Sequence, residues 1–194
     1  MKLVIIKYNA GNIQSVSFAL ERLGAEFTIT DDAELIQTAD KVIFPGVGEA
    51  STTMKYLKGK KLDQLIVSLK QPMLGICLGM QLMCRHSEEY NTPCLGIFEE
   101  TVKKFIPHSD LKVPHMGWNK LTVTDSWLDP AIDEKYAYFV HSYYVPVTTY
   151  TSAVTDYINP FSAAMHKNNF YAVQFHPEKS AQTGELVLKS FLNV

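Results

Sequence analysis

Residues 71–83 read QPMLGICLGMQLM, with Cys77 between two glycines and two apolar flanks. A cysteine in that setting can be core filler, half of a disulfide, a metal ligand or a nucleophile. Cys77, Cys84 and Cys94 make an odd number, and the apolar run near the N-terminus is only four residues long before Lys7. That run is too short for a secretory core. A reducing, cytoplasmic setting is therefore expected rather than a disulfide framework. No two cysteines have two-residue spacing, and the six histidines (His86, His108, His115, His141, His166, His176) form no ligand pattern, so no metal site is expected. Core filler and nucleophile remain.

The nucleophile reading makes demands that the rest of the chain can meet. Met73–Ile76 reads as a strand and a helix begins at Leu78. Cys77 thus falls beyond the carboxyl end of a strand, where open α/β sheets place their ligands. Gly-x-Cys-x-Gly is the thiol counterpart of a nucleophile elbow. Its glycines allow a sharp turn and let neighbouring strands and a substrate come close. A helix N-terminus favours a thiolate by only ~0.3–1 kcal/mol, too little for a thiol whose ordinary pKa is about 8.5. A basic partner is needed, and QFHPEKS (Gln174–Ser180) offers one. Phe170–Phe175 reads as a strand that delivers His176 to the same sheet edge if the two strands are co-oriented. Pro177 stops that strand, and Glu178, two residues on, can orient the imidazole. Leu78 N–H is one oxyanion donor, and the loop Pro45-Gly46-Val47-Gly48 is placed to supply another. Each fragment alone also reads as an ordinary turn; together they favour catalysis.

The elements that must position these groups alternate in the first half. Leu3–Ile6, Glu26–Ile29, Lys41–Phe44 and Met73–Ile76 read as strands. Between them, Asn12–Leu23, Asp32–Thr38, Glu49–Leu57 and Leu62–Leu69 read as helices. Such alternation implies a mostly parallel sheet with right-handed crossovers. Lys120–Thr124, Tyr136–Val145, Thr151–Thr155, Ser162–His166 and Phe170–Phe175 read as strands that add antiparallel partners to the same sheet, before a last helix at Gly184–Leu192. Cys84 reads as a continuation of the helix after Cys77. With 194 residues, 46% apolar, and no linker or repeat, the chain is expected to form one domain, residues 1–194. Eighteen Lys and Arg against 20 Asp and Glu give no basic excess for nucleic acid, and no apolar run is long enough to span a membrane.

PGVG, GICLGMQ and QFHPEKS, in this order, resemble the class I (triad) glutamine amidotransferases over essentially the whole chain. The resemblance implies a flavodoxin-like three-layer α/β sandwich, no cofactor, and hydrolysis of the glutamine side-chain amide through a cysteinyl thioester. VPHMGWN (Val113–Asn119) and YFVHSYY (Tyr138–Tyr144) are similar to the branch serving imidazole glycerol phosphate synthesis in histidine biosynthesis. That branch pairs as a heterodimer with a HisF-type (βα)8-barrel cyclase, which makes imidazole glycerol phosphate and AICAR. By resemblance, Cys77 is the nucleophile, His176 the base and then acid, and Glu178 the orienting carboxylate. Val47, Gly48 and Leu78 form the oxyanion hole, after a reorientation of the PGVG loop. Gly46, Gly48, Gln81, Glu89 and the backbone of Ser142 and Tyr143 hold glutamine. Asn12, Trp118, Tyr138 and Lys179 face the cyclase and the ammonia entrance. His115 and His141 read instead as structural histidines at strand ends. Ala10 stands where the family pattern has a glycine, and Tyr90–Pro93 lacks the glycines often seen after Ser-Glu-Glu. A paralogue serving another synthase, or a silent subunit of the same fold, are the alternatives. Ammonia freed into water would be protonated, and the chain has no room for a second catalytic domain, so the acceptor belongs on another polypeptide.

Overall fold

The computed structural model describes residues 1–8, 12–108 and 111–194; Ala10, the departure noted above, lies outside them. In chain order the first half runs β1 (Leu3–Ile6), α1 (Ile13–Arg22), β2 (Phe27–Thr30), α2 (Ala33–Gln37), β3 (Lys41–Phe44), α3 (Ala50–Gly59), α4 (Leu62–Ser68), β4 (Met73–Ile76) and α5 (Leu78–Met83). The second half is mostly strand: β5 (Cys84–Ser87), β6 (Thr92–Pro93), β7 (Phe98–Lys104), β8 (His115–Lys120), β9 (Thr122–Val123), β10 (Tyr136–His141) and β11 (Tyr143–Tyr144). It closes with β12 (Thr151–Asp156), β13 (Pro160–Lys167), β14 (Phe170–Val173) and α6 (Ala181–Asn193).

The main sheet has the order β2-β1-β3-β4-β14-β13-β12-β9. β2 through β14 are parallel in that order, and β13, β12 and β9 add antiparallel pairs. Strands β1, β3 and β4 are buried along their whole length, as a parallel sheet covered on both faces requires. Their side chains alternate between two cores. Val4, Ile6, Val42, Phe44 and Met73 pack with residues of α2 to α5. Leu3, Ile5, Ile43, Leu74 and Ile76 pack with Val16, Ala19 and Leu20 of α1 and with Val187, Leu188 and Phe191 of α6. At ~1.5–3 kcal/mol for each fully buried aliphatic side chain, these two interfaces hold three layers together. β14 pairs parallel with β4, Val173 opposite Ile76, so the segments after both strands leave the same edge of the sheet.

Two expectations fail. Cys84 does not extend the helix after Cys77: all six residues of α5 are buried and the chain turns extended at Cys84 to begin β5. Tyr136–Val145 does not join the main sheet. β10 forms a separate ribbon with β8, and β11 pairs with β7 in a four-stranded sheet ordered β11-β7-β5-β6. The partner changes at Ser142 because His141 already faces His115, the first residue of β8, and Pro114 before it has no N–H to continue the ladder.

Candidate active site

Cys77 takes φ 51° and ψ −106° between β4 and α5, a left-handed backbone that costs a residue with a Cβ ~1–3 kcal/mol and that clusters at functional sites. The flanking glycines serve close approach. A Cβ on Gly79 would stand 2.1 Å from the Phe44 carbonyl oxygen, and one on Gly75 would meet Met83 Sδ at 2.4 Å. The bend itself falls on the cysteine. Its N–H donates to the Val173 carbonyl at 2.8 Å, which ties the elbow to the strand leading to His176.

His176 follows β14 and is fully buried. Its Nδ1 lies 2.7 Å from Glu178 Oε1, and both side chains are out of solvent. Its Nε2 is buried without a hydrogen-bond partner. Burial alone would lower the imidazole's pKa. Cys77 and the Glu178 carboxylate outweigh it and raise the value to about 10, so the pocket holds a proton on the imidazole once the ring has taken one. Asn12, the residue before α1, does not face outward as expected from the partner-surface reading. It is buried, its amide donates to Glu178 Oε1, and it lies 3.4 Å from His176 Nδ1. It makes no side-chain cap for its own helix, although asparagine there ordinarily does; the amide is spent on the carboxylate instead.

Leu78 N–H donates to the Gly46 carbonyl at 3.3 Å. Before that N–H can meet an oxyanion, the carbonyl has to move away. Gly46 is tightly held: a Cβ there would lie 2.6 Å from the Tyr8 hydroxyl and 2.7 Å from Gly79 N. The Tyr8 hydroxyl in turn donates to the Pro45 carbonyl. Gly48 has φ 130°, accessible to glycine but not to other residues, and this is the loop's point of backbone freedom.

Val47, Gly48, Cys77, Leu78, Gln81, Glu89, Val140, His141, Ser142 and Tyr143 enclose a cavity of about 260 Å³. It is smaller than the ~300–1,000 Å³ of drug-sized pockets, a size suited to an amino acid. A larger cavity of about 550 Å³ over Lys103 to His108 has no cysteine, serine or threonine among its described lining residues. Glu89 is half-buried, and its Oε2 accepts from Ala50 N–H at 2.7 Å. Burial raises its pKa, the Ala50 N–H opposes this, and Glu49 adds to it. Gln81 turns its Nε2 to the Tyr143 carbonyl at 2.9 Å and to Gln174 Oε1 at 3.0 Å.

Trp118 and Tyr138 are opposite each other on the β8–β10 ribbon, ring centroids 5.8 Å apart, and Lys179 Nζ sits 6.0 Å over the Tyr138 ring. Met116, Trp118 and Tyr136 are exposed on that face. The backbone of Tyr138 holds the His-Pro-Glu turn: His176 N–H donates to its carbonyl and its N–H donates to Ser180 Oγ, both at 2.9 Å. His115 and His141 are buried behind the ribbon, 3.1 Å apart between Nδ1 and Nε2.

Sequence reasoning missed Gln174, fully buried with Nε2 3.6 Å from Cys77 Sγ, and Tyr8. The period of two along an extended chain puts Gln174 on the same side as His176, and that was the available signal. Nothing local pointed to Tyr8.

A strained cysteine at the carboxyl edge of a parallel sheet, backed by a buried His–Glu pair and opening on a small cavity, has the parts that an activated thiol nucleophile needs. The family model for glutamine amidotransferase class-I matches residues 4–194, and the chain belongs to that family. Among its relatives, the imidazole glycerol phosphate synthase subunit HisH of Bacteroides thetaiotaomicron is 62% identical, with both chains covered in full. HisH of Idiomarina loihiensis is 46% identical over all of this chain and 98% of its own. A solved glutamine amidotransferase superposes with a TM-score of 0.74 at 18% identity, covering 98% of this chain and 97% of the other.

Proposed function

We propose that the chain, acting as one domain over residues 1–194, is the glutaminase subunit of an imidazole glycerol phosphate synthase and delivers ammonia to a HisF-type (βα)8-barrel cyclase. The observation that carries this reading is His176: Nδ1 is taken by Glu178, while the buried Nε2 is left for proton exchange with Cys77. Full-length identity to HisH subunits supports the choice of synthase. Cytoplasmic location fits the chemistry; among the described residues no helix is long and apolar enough to cross a membrane.

His176 takes the thiol proton, and the Cys77 sulfur attacks the side-chain amide carbon of glutamine. The oxyanion meets Leu78 N–H and an N–H of the Val47–Gly48 segment once the Gly46 carbonyl has swung off. The tetrahedral adduct collapses to a thioester as His176 returns its proton to the leaving nitrogen, releasing ammonia. His176 then deprotonates a water that attacks the thioester carbon. Glutamate leaves and the thiol regains its proton. No external redox partner or cofactor enters this balance. In the bound state Glu89 receives the substrate's α-ammonium, Gln81 presents its free Oε1, and Gly46, Gly48 and the backbone at Ser142–Tyr143 complete the cradle. The face bearing Trp118, Tyr138 and Lys179 meets the cyclase. Asn12 sits behind that face, against Glu178.

The test is glutamate release with and without the cyclase and its ribonucleotide substrate. Stimulation by the cyclase, lost in Cys77→Ala, supports the assignment. Stimulation by another synthase alone would make the chain a paralogue, and silence with every partner would make it an assembly subunit.

A further inference from the structure

We propose that Gln174 is a further catalytic residue, its side-chain N–H donating to the Cys77 sulfur and favouring the thiolate over the thiol. The inference deepens the glutaminase reading and rests on it only for the reaction served.

The orientation of the Gln174 amide follows from one fixed point. The Tyr143 carbonyl can only accept, so the group of Gln81 facing it at 2.9 Å is the NH2. The second N–H of that NH2 points to Gln174, 3.0 Å away, and must meet an oxygen. Gln174 therefore has Oε1 toward Gln81 and Nε2 toward Sγ, 3.6 Å off. Flipping either amide would set donor against donor or oxygen against oxygen in a buried site, leaving polar groups without partners. The backbone N–H of Gln174 donates to the Ala163 carbonyl at 2.8 Å, which pins the residue from the other side.

The groups around the sulfur pull in opposite directions. The Val140 carbonyl, 4.0 Å from Sγ, can only accept, so it suits an S–H and repels an S⁻. Gln174 Nε2 can only donate, and a hydrogen bond to an ionised acceptor is roughly twice as strong as one to a neutral acceptor. Among the described residues, the titratable groups that act on the thiol are Tyr8, two residues past β1, and His176 after β14, with Glu178 behind the imidazole. Tyr8 is held neutral by burial, and the Cys77 charge adds to that. His176 surrenders its proton to the leaving group during turnover. Gln174 is the uncharged donor, and its contact with sulfur does not depend on the protonation of the imidazole.

The test is the pH profile of Cys77 alkylation by iodoacetamide on the full chain, read at peptide level by mass spectrometry. Burial holds Cys84 well up and raises Cys94 to about 12, and the peptide-level readout assigns the alkylation of each thiol. In Gln174→Met, which keeps the volume, and Gln174→Glu, which keeps the acceptor for Gln81, the midpoint should rise by about one pH unit and alkylation at pH 7 should slow about tenfold. Cyclase-stimulated kcat should fall about tenfold with KM within about twofold. A lowered kcat with an unmoved midpoint would overturn the proposal and leave Gln174 a mere support for Gln81. If neither variant folds, nitrogen NMR of the wild-type chain decides: the Gln174 side-chain amide should titrate with the thiol, and that response should vanish in Cys77→Ala. An amide that does not titrate overturns it equally. Wild-type chain without any glutaminase activity would sink the functional reading while leaving the thiolate contact to these measurements.

Discussion

Glu178 Oε1 serves two donors at once, the imidazole and the Asn12 amide, and this shared oxygen ranks the residues around it. His176 moves protons in both halves of the proposed reaction, a task worth ~10²–10⁴ in rate. Glu178 orients the ring and supports its charge, and Asn12 orients Glu178. Losses in kcat with saturating cyclase should therefore descend in that order. We expect several orders of magnitude for His176→Asn, about a hundredfold for Glu178→Gln, and about tenfold for Asn12→Ala, the last reflecting one hydrogen bond to a charged group at ~1.5–3 kcal/mol. Because Asn12 makes no cap to α1, Asn12→Ala should lower the melting temperature only by the several degrees that this one hydrogen bond is worth. Equal, mild losses in all three would sink the roles assigned here.

Among the elements, α6 has an unexpected part: Gly184 near its start packs on the carbonyl of Pro177, the residue after His176. A Cβ on Gly184 would lie 1.8 Å from the Pro177 oxygen, a backbone atom that cannot yield without moving the turn carrying His176 and Glu178. Gly184→Ala should therefore cost ~1–3 kcal/mol in urea unfolding and lower kcat as well. Full activity at wild-type stability would mean that the helix is free to slide. This contact was not legible in the sequence, where Gly184 reads as the start of a helix. Legibility followed the type of burial. Strands β1, β3 and β4, buried on both faces, read as continuous apolar runs, and Cys77 fell at the end of β4 by simple counting; His176, expected directly after a strand ending at Phe175, stands three residues beyond the end of β14 at Val173. The ribbon was not readable because β10 and β11 form one alternating run, and the change of partner at Ser142 is decided by where β8 starts, some 27 residues earlier in the chain. Asn12 was readable as the polar first residue of a helix, which in the structure starts one residue later at Ile13. Its meeting with Glu178, 166 residues away, depends on how α1 and the His-Pro-Glu turn pack.

For the molecule as a whole, the same burial that shields the site sets its acid limit. His141 lies between Phe105, Phe139 and Phe161, its Nδ1 donating to the Tyr143 carbonyl at 2.7 Å and its Nε2 meeting His115. Burial pushes its pKa down to about 3, with His115 and His176 adding, and the Tyr143 carbonyl opposing too weakly to prevent it. An unfolded histidine titrates near 6.5. Between those values the unfolded chain binds a proton that the folded chain refuses, so folding stability must fall as pH drops from about 6.5 toward about 3, by up to about 1.4 kcal/mol per pH unit. His141→Gln lacks this proton and starts less stable at pH 7 through lost packing and hydrogen bonding. Its deficit against wild type, measured by denaturant unfolding at pH 7, 6, 5 and 4.5, should shrink with each step downward by about 1 kcal/mol per unit. A deficit that stays constant across that range would mean that His141 charges inside the fold, and that the wall joining ribbon to glutamine cavity is wetter than its packing implies.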